Sequence, residues 1–288
     1  MYESLVTLAT FTAWATLAFT RGASLPLVEG GSAVLAILMI GIASVFPREA
    51  RPLIPALQSY WLYLHVSIAF IGEAFFTMAF AMSYLFCFRR LVAPPAVQVQ
   101  IGAPISSTRG EKLFCGAIVL GLPILFLGSM VKVAMDWATK PGSEKWQQLV
   151  AWVIVPVGGL TMVVVFAVLV LYGAAGRAAD RWLPDEKTLD ELTYRAIAIG
   201  FPLFTVGALI FGMVWAQKAW GRYWGWDPKE TWGLITFMVY SIYLHLRLTK
   251  GWRGLGAAGI SVLGFLITMF TLFGVNLLIS GLHSYGAL

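Results

Sequence analysis

Charged residues are scarce in this chain of 288 residues. Asp, Glu, Lys and Arg make up 12% of it, whereas 59% of the residues are hydrophobic. So much apolar surface excludes a single water-soluble core. The composition predicts an all-α, polytopic membrane helix bundle that forms one integral membrane domain over residues 1–288. The net charge of +6 is then a property of membrane-protein loops, and no nucleic-acid partner is expected.

Cysteine is almost absent as well. Cys87 and Cys115 are the only two cysteines, and the sequence has no C-x-x-C pair. This argues against a function in thiol–disulfide exchange, which uses a pair of reactive thiols. Any thiol-reducing chemistry near this protein must come from separate proteins that work with it indirectly.

Eight apolar stretches are predicted to cross the membrane, because about 20 helical residues span a ~30 Å hydrocarbon layer. The first lacks a basic leading segment and a small-residue cleavage site, so we expect a retained helix and not a signal peptide. Lys and Arg are more frequent in one set of alternate loops, which predicts that this set faces the cytoplasm and that the loop between spans six and seven lies outside. The stretches are 3–20, 31–46 (the weakest), 61–88, 113–133, 149–172, 195–217, 232–249 and 259–281.

The external loop, taken as 216–232, contains the run WGRYWGWDPKETW, which has five aromatic residues in thirteen positions. Indole and phenol faces stack on flat macrocycles, and the charges of Asp227, Lys229 and Glu230 could meet propionates or a docking partner. An interfacial aromatic belt also produces such residues. The density of aromatics, interrupted by two small glycines, favours a binding site.

Two of the three histidines lie at the predicted outer interface. His65 is at the outer end of span three, and His283 follows span eight. Two neutral imidazoles at this depth could ligate a haem iron from opposite faces, or they could be unrelated packing residues. The pairing is favoured because both flank the Trp-rich loop.

His245 lies deeper, thirteen residues after Trp232 and therefore roughly 20 Å below the outer interface. His245 is therefore either a structural residue or one of two iron ligands. In the second case the other ligand would come from another polypeptide, because the chain has no fourth histidine. Arg247 nearby could reach the cytoplasmic headgroups or pair with a propionate that enters from that side.

Glu73, in the middle of span three, is costly to bury in a membrane. It is interpreted as a protonated or hydrogen-bonded carboxyl that faces the bundle, with a proton-transferring or cavity group as the alternative. Because it lies eight residues after His65, about 80° round the helix, the two need not face one cavity.

The chain resembles the haem-handling, Trp-rich "WWD" membrane proteins, specifically the CcsA (ResC-type) subunits of system II cytochrome c synthetases. The resemblance is specific over 195–286 and 55–76. One departure is Glu73, where the family pattern has an aromatic residue. The segments that carry the resemblance are WGRYWGWDPKETW, IYLHLRLTKGWRG, FGVNLLISGLHSYG and ALQSYWLYLHVSIAFIGEAFF.

The resemblance implies a protein of the bacterial cytoplasmic or thylakoid membrane that takes part in cytochrome c biogenesis. It would carry haem b to the external face and present it for thioether attachment to the C-x-x-C-H thiols of apocytochrome c. This lyase activity would require a CcsB (ResB)-like membrane subunit. The alternatives are a CcmC-like haem handler that delivers haem to a chaperone, and a transporter or structural subunit with an aromatic belt and no haem.

The resemblance also assigns residues. His65 and His283 would be the external axial ligands, and His245 an intramembrane ligand whose second histidine belongs to the CcsB-like subunit. We expect Asp227 to stabilise the loop through a salt bridge with Lys229 or Arg222 and not to transfer protons. The porphyrin would be cradled by Trp220, Gly221, Trp224, Trp226, Asp227, Pro228, Lys229, Glu230 and Trp232.

Overall fold

The computed structural model is helical throughout the elements it describes. It describes residues 57–92, 109–125 and 183–275, together with positions 128, 132, 135, 279, 281 and 282. The helices are α1 (Tyr60–Val92), α2 (Arg109–Gly116), α3 (Glu186–Phe204), α4 (Gly212–Trp220), α5 (Pro228–Lys250) and α6 (Leu255–Met269). Wider π-helical turns follow α2 at Ala117–Gly121, join α3 to α4 at Thr205–Phe211, and extend α6 at Phe270–Gly274.

Three of the described helical stretches are long and apolar enough to cross a membrane: Tyr60–Val92, Glu186–Trp220 and Leu255–Gly274. They correspond to the predicted third, sixth and eighth spans, which confirms a membrane-type helical architecture. α5 is not one of the three, so the span over 232–249 stays a prediction. The spans at 3–20, 31–46 and 149–172 lie outside the described residues, as does part of 113–133, and the total of eight remains a prediction.

The chain divides into two compact units, with boundaries after Ser83 and Leu183. In the first unit, α1, α3 and α5 meet at the fully buried ring of Phe76. This ring stacks on Tyr240 with centroids 3.7 Å apart and packs against Phe204 at 5.5 Å. Aromatic pairs of this kind contribute about 0.5–1.5 kcal/mol beyond their burial. The core of this unit therefore lies between the three helices and not at a lipid-facing surface.

Glycines bring α1 into backbone contact with α3 and the π-helical turn that follows it. A Cβ atom at Gly72 would lie 2.6 Å from the backbone nitrogen of Phe204, and one at Gly207 only 2.4 Å from that of Ala69. Small residues at a membrane helix crossing allow this approach, because dispersion contacts replace the hydrophobic effect between helices in lipid. Gly207 is thus required by space and not by backbone conformation.

We expect Gly207→Ala to lower the free energy of unfolding by about 1–3 kcal/mol, because the methyl group would force two backbones apart. Gly233→Ala is the matched control, since its Cβ would meet nothing closer than Leu209 Cδ2 at 3.9 Å. That change should be neutral or slightly stabilising. Thermal unfolding of the detergent-purified variants, followed by tryptophan fluorescence, measures both; equal midpoints would contradict the close crossing.

At the opposite end of this unit, the buried guanidinium of Arg247 joins α5 to α3. Its Nη1 donates to Oδ2 of Asp190 at 2.6 Å and to the carbonyl of Trp252 at 3.1 Å, and its Nη2 donates to Oε2 of Glu191 at 3.3 Å. Asp190 Oδ1 also accepts the amide of Gly254 at 2.8 Å. The sequence had suggested that Arg247 reaches the headgroups or pairs with a propionate. In the structure its guanidinium is instead buried and closes the turn between α5 and α6.

The second unit contains the end of α1, from Tyr84, and α2. The hydroxyl of Tyr84 donates to the carbonyl of Val119 at 2.9 Å, and Arg90 pairs with Glu111 at 3.4 Å. Cys87 and Cys115 are both fully buried and form no disulfide. Both side chains therefore pack inside the second unit.

Candidate functional site

The Trp-rich segment contains a short non-helical loop between two well-defined helix ends. α4 ends at Trp220, where Gly221 adopts a left-handed conformation with φ 75° and caps the helix. Residues 221–227 are non-helical, and α5 begins at Pro228. Glycine after a helix and proline at its first position are the residues that these backbone positions favour. The local sequence thus fixes where the loop begins and ends.

Asp227 and Glu230 form a capping box at the start of α5. The carboxylate of Asp227 accepts the amide of Lys229 at 3.2 Å, while Oε2 of Glu230 accepts the amides of Gly225 at 2.7 Å and Asp227 at 3.2 Å. Such caps satisfy amides that would otherwise lack partners at a helix start. Asp227 therefore stabilises the start of α5 through backbone amides, and the salt bridge expected with Lys229 or Arg222 stays a prediction.

Asp227 also binds the chain near its C-terminal end. Its Oδ1 accepts the amide of Leu282 at 2.7 Å, and a Cβ atom at Gly281 would lie 2.7 Å from the same oxygen. The loop and the segment that leads to His283 are therefore held by one buried carboxylate. His283 itself lies outside the described residues.

The aromatic side chains of the loop differ in orientation. Trp226 is 70% exposed and has φ 56°, which is rare for a residue with a side chain and marks local strain. Its ring meets Trp224 edge to face, with centroids 5.8 Å apart. Trp232 instead packs on Phe270 at 4.4 Å within the helices. The loop therefore presents Trp226 outward, whereas Trp232 serves as a packing residue.

A cavity of about 180 Å³ lies beside the loop, entirely within the first unit. α1 contributes one wall, the helical stretch from α3 to α4 another, and the loop with the start of α5 a third. The residues that line it and matter for its chemistry are His65, Glu73, Trp220, Tyr223, Trp224, Lys229, Glu230 and Thr271.

His65 is held in a defined orientation on this cavity. Its Nδ1 lies 2.9 Å from the carbonyl oxygen of Gly207, which can only accept, so Nδ1 is the donor. In a neutral imidazole the lone pair is then on Nε2. The ring stacks parallel to Trp215, with centroids 5.7 Å apart, and Trp215 in turn meets Trp220 edge to face at 4.7 Å. A row of aromatic rings thus runs from His65 to the start of the loop.

Glu73 lines the same cavity as His65, and this corrects the expectation that the two side chains need not share one. Its side chain is 6% exposed. Among the described residues, none donates a hydrogen bond to its Oε2. The cavity therefore combines an imidazole and a carboxyl group from one helix face.

Lys229 contributes positive charge to the cavity wall. Burial lowers the pKa of its ammonium, and the carboxylates of Glu73 and Asp227 oppose this effect. Glu73, Asp227 and Lys229 thus interact electrostatically at this wall of the cavity. An anionic ligand that reaches Lys229 would change the balance among all of them.

Comparison with known proteins identifies the family. The profile of the cytochrome c assembly protein family matches residues 1–283. The chain belongs to this family. It is 36% identical over 294 residues to the cytochrome c biogenesis protein CcsA of Synechococcus elongatus, a match that covers 99% of the chain and 78% of that protein.

Two further relatives carry the same name. CcsA of Cyanophora paradoxa is 34% identical over 292 residues, covering 99% of the chain and 78% of the relative. CcsA of Synechocystis is 36% identical over 243 residues, covering 83% of the chain and 63% of the relative. The resemblance inferred from the Trp-rich and histidine segments therefore holds along the whole chain.

Within this member of the cytochrome c assembly family, only part of the predicted cradle lines the cavity: Trp220, Trp224, Lys229 and Glu230, together with His65. Gly221, Asp227 and Pro228 instead shape the helix ends, Trp232 packs inward, and Trp226 projects outward. Sequence reasoning missed the cavity positions of Glu73 and Trp215. For Glu73 the signal was present, since 80° separates residues that still belong to one helix face.

His245 does not line this cavity. It lies on the exposed side of α5, as do Met238 and Ile242, at spacings of seven and three residues. Residues at these spacings share one helix face. His245 is therefore separate from the cavity beside the loop.

Proposed function

We propose that this protein works in cytochrome c biogenesis by binding haem b beside the Trp-rich loop and presenting it for covalent attachment to apocytochrome c. The observation that carries the proposal is His65. Its Nδ1–H donates to a backbone carbonyl, which is the arrangement found in metal-ligating histidines, where it orients Nε2 and raises its basicity. The ring lies on a cavity bordered by tryptophan faces that suit a porphyrin.

The size of the cavity constrains how haem would bind. At about 180 Å³ it is smaller than the roughly 300–1,000 Å³ typical of pockets that enclose a drug-sized ligand. One edge of the macrocycle would therefore enter the cavity, while the rest would lie against the outward-facing side chains of Trp226 and Tyr223. Such a pose leaves the vinyl groups accessible to the C-x-x-C-H thiols of an apocytochrome.

In this proposal His65 and His283 provide the two axial nitrogens. Two imidazoles keep the iron low-spin and closed to dioxygen while it waits for the apocytochrome. Transfer would be completed when the histidine of the C-x-x-C-H motif displaces one of them. Orientation and protection, and not acid–base chemistry, are the contributions of the chain. The carboxylates of Asp227 and Glu230 support this reading, since both already bind backbone amides at the start of α5.

A second haem position is proposed at His245. Its imidazole is on the exposed face of α5, where a polar group facing lipid is costly unless another chain meets it. A CcsB-like membrane subunit that packs against this face with its own histidine would complete the ligand set. The lyase activity is accordingly assigned to the complex of the two subunits.

The test is maturation of a C-x-x-C-H reporter in cells that lack their own synthetase. Co-expression of the full chain with a CcsB-like subunit should yield covalently haem-stained reporter, and omission of either subunit should abolish it. Haem that copurifies with the chain, together with unstained reporter under all conditions, would favour a handler that passes haem to a chaperone. Absence of both signals would contradict the haem proposal itself.

A further inference from the structure

A row of buried hydroxyl groups lies along the contact between α5 and α6. Its members recur at spacings of three, four or seven residues on each helix, so they share the facing sides of the two helices. None of their side chains is more than 6% exposed. This hydroxyl row comprises Thr236, Tyr240 and Tyr243 on α5, and Ser261, Thr268 and Thr271 on α6 and its π-helical extension.

The two halves of the hydroxyl row touch each other. Oγ1 of Thr236 lies 3.1 Å from Oγ1 of Thr271. A Cβ atom at Gly264 would lie 2.8 Å from Cζ of Tyr240, the carbon that carries the phenol oxygen. Gly264 is about one helical turn from Ser261. The hydroxyl of Tyr240 therefore lies beside the α6 members of the row.

At the loop end, the hydroxyl row reaches the cavity, which Thr271 and Glu73 both line. Glu73 precedes Phe76 by three residues, so it lies on the α1 face that stacks on Tyr240. It also interacts electrostatically with Tyr240. Desolvation holds a buried carboxyl group in its neutral form, in which one oxygen donates and the other accepts. Glu73 can therefore receive a proton and pass one on.

At the far end, the hydroxyl row reaches the ion pairs of Arg247. Tyr243 precedes Arg247 by four residues and interacts electrostatically with it and with Asp190 and Glu191. A guanidinium does not release its proton in a protein, so the two carboxylates are the groups that can accept one. The side chain of Glu191 is 34% exposed, which opens this end of the row to the surface. From Thr236 to Arg247 the row follows α5 for eleven residues, or roughly 16 Å.

Bonding within each helix accounts for the threonines of the row. Each of their hydroxyls donates to the carbonyl one turn earlier on its own helix, at 2.8–3.0 Å. Threonines bonded in this way also pack between membrane helices. The threonines alone would thus indicate a structural contact.

Bonding within the helices does not account for the other members. The hydroxyl of Tyr240 faces that of Thr268 without forming a hydrogen bond. Phenylalanine or alanine would fill these positions without burying a polar atom that lacks a partner. Internal water molecules usually bond such atoms. Among the described residues, no hydrogen-bond partner exists for Tyr240 Oη, Tyr243 Oη, Ser261 Oγ or Glu73 Oε2.

We propose that the hydroxyl row is a proton pathway in which internal water molecules bridge these atoms and connect Glu73 in the cavity with Glu191 at the far end. Chains of polar and ionisable side chains within membrane spans are typical of proton relays. Each hydroxyl or water releases one proton as it receives another, so a proton that enters at one end is matched by one that leaves at the other.

No oxidant or reductant takes part in this transfer. The pathway would let the groups of the cavity exchange protons with the side of the membrane remote from the Trp-rich loop. It goes beyond the proposed function and does not rest on haem binding.

The test measures proton flux into phosphatidylcholine vesicles that contain the purified, full-length protein and a pH-sensitive dye. A potassium diffusion potential set by valinomycin drives the protons inward. Vesicles with the wild-type protein are expected to acidify faster than protein-free vesicles. Equal rates would overturn the inference and leave the haem proposal untouched.

Variants assign the flux to the hydroxyl row. Tyr240→Phe and Tyr243→Phe should each reduce the rate to that of protein-free vesicles, because each removes one hydroxyl of the relay. Tyr63→Phe is the matched control, since Tyr63 is 62% exposed on α1, and it should keep the wild-type rate. A wild-type rate in the Tyr240 variant would show that protons do not follow the row.

The stability of the Tyr240→Phe protein provides a second measurement. Phenylalanine occupies the same space, so the change removes the hydroxyl alone. Because we expect internal water to bond this hydroxyl, its loss should lower the thermal midpoint in detergent. Loss of a buried hydroxyl that has no partner would instead raise the midpoint, and a higher midpoint would contradict the hydrated row.

Discussion

Replacing His65 with glycine is expected to abolish the low-spin haem signal of the outer site in the purified protein. The variant removes the axial nitrogen that the Gly207 carbonyl orients, together with the ring that stacks on Trp215. Changes to the outer partners of a metal ligand already cost about 10–100-fold in affinity, so loss of the ligand itself should exceed 10-fold in retained haem. Visible spectroscopy of the full chain, purified with a CcsB-like subunit, measures the effect.

Added imidazole provides the control for this variant. A glycine leaves space for a free imidazole, which should restore the low-spin bands if the lost nitrogen was the only cause. His245→Gly lies on another face of the protein and should leave the outer signal in place while it removes haem from the membrane site. A His65→Gly protein that retains wild-type bands without imidazole would show that His65 is a packing residue.

Arg247→Met should lower the free energy of unfolding by about 3–5 kcal/mol, the usual cost of breaking a buried ion pair by removal of one partner. The change would leave the buried carboxylate of Asp190 without its donor at 2.6 Å and the carbonyl of Trp252 without its donor at 3.1 Å. Thermal or denaturant unfolding in detergent, followed by tryptophan fluorescence, gives the difference.

Arg195→Met is the matched control for the loss of an arginine. Arg195 pairs with Glu191 one helical turn away, but its side chain is 62% exposed. Exposed ion pairs of this kind contribute about 0–1 kcal/mol to the free energy of unfolding. If the Arg247 variant were no less stable than the Arg195 variant, the network at the α3–α5 contact would be dispensable for folding.

Local sequence signals contain much of the frame of the site. The capping box at Asp227 and Glu230 was not predicted, although carboxylates and proline around the start of a helix favour it and the signal is present in the sequence. The long apolar runs predicted three of the described helical stretches, although the stretch Glu186–Trp220 begins nine residues before the predicted start at 195. Such features depend on neighbours within a few residues, and a sequence reports those neighbours directly.

Contacts between distant segments were not predictable in the same way. The carbonyl that orients His65 lies 142 residues further along the chain. It belongs to a π-helical turn that the hydrophobic periodicity of the sequence does not predict. The family resemblance assigned Trp232 to the porphyrin cradle without its contact with Phe270, which only the structure reveals. Its direction depends on the rotation of α5 against the end of α6, which composition does not encode.

The π-helical turn at Thr205–Phe211 sets the phase between the two ends of a continuous helical stretch. Each residue of a regular helix advances the side-chain direction by about 100°, and a wide turn accommodates one residue more than a regular turn. Phe204, before the turn, points into the core, whereas Trp215, after it, stacks on His65. A strictly regular helix with the same sequence would rotate Trp215 away from the imidazole by about the 100° that one residue contributes. The wide turn thus corrects the phase so that one helical stretch contributes both to the protein core and to the wall of the cavity.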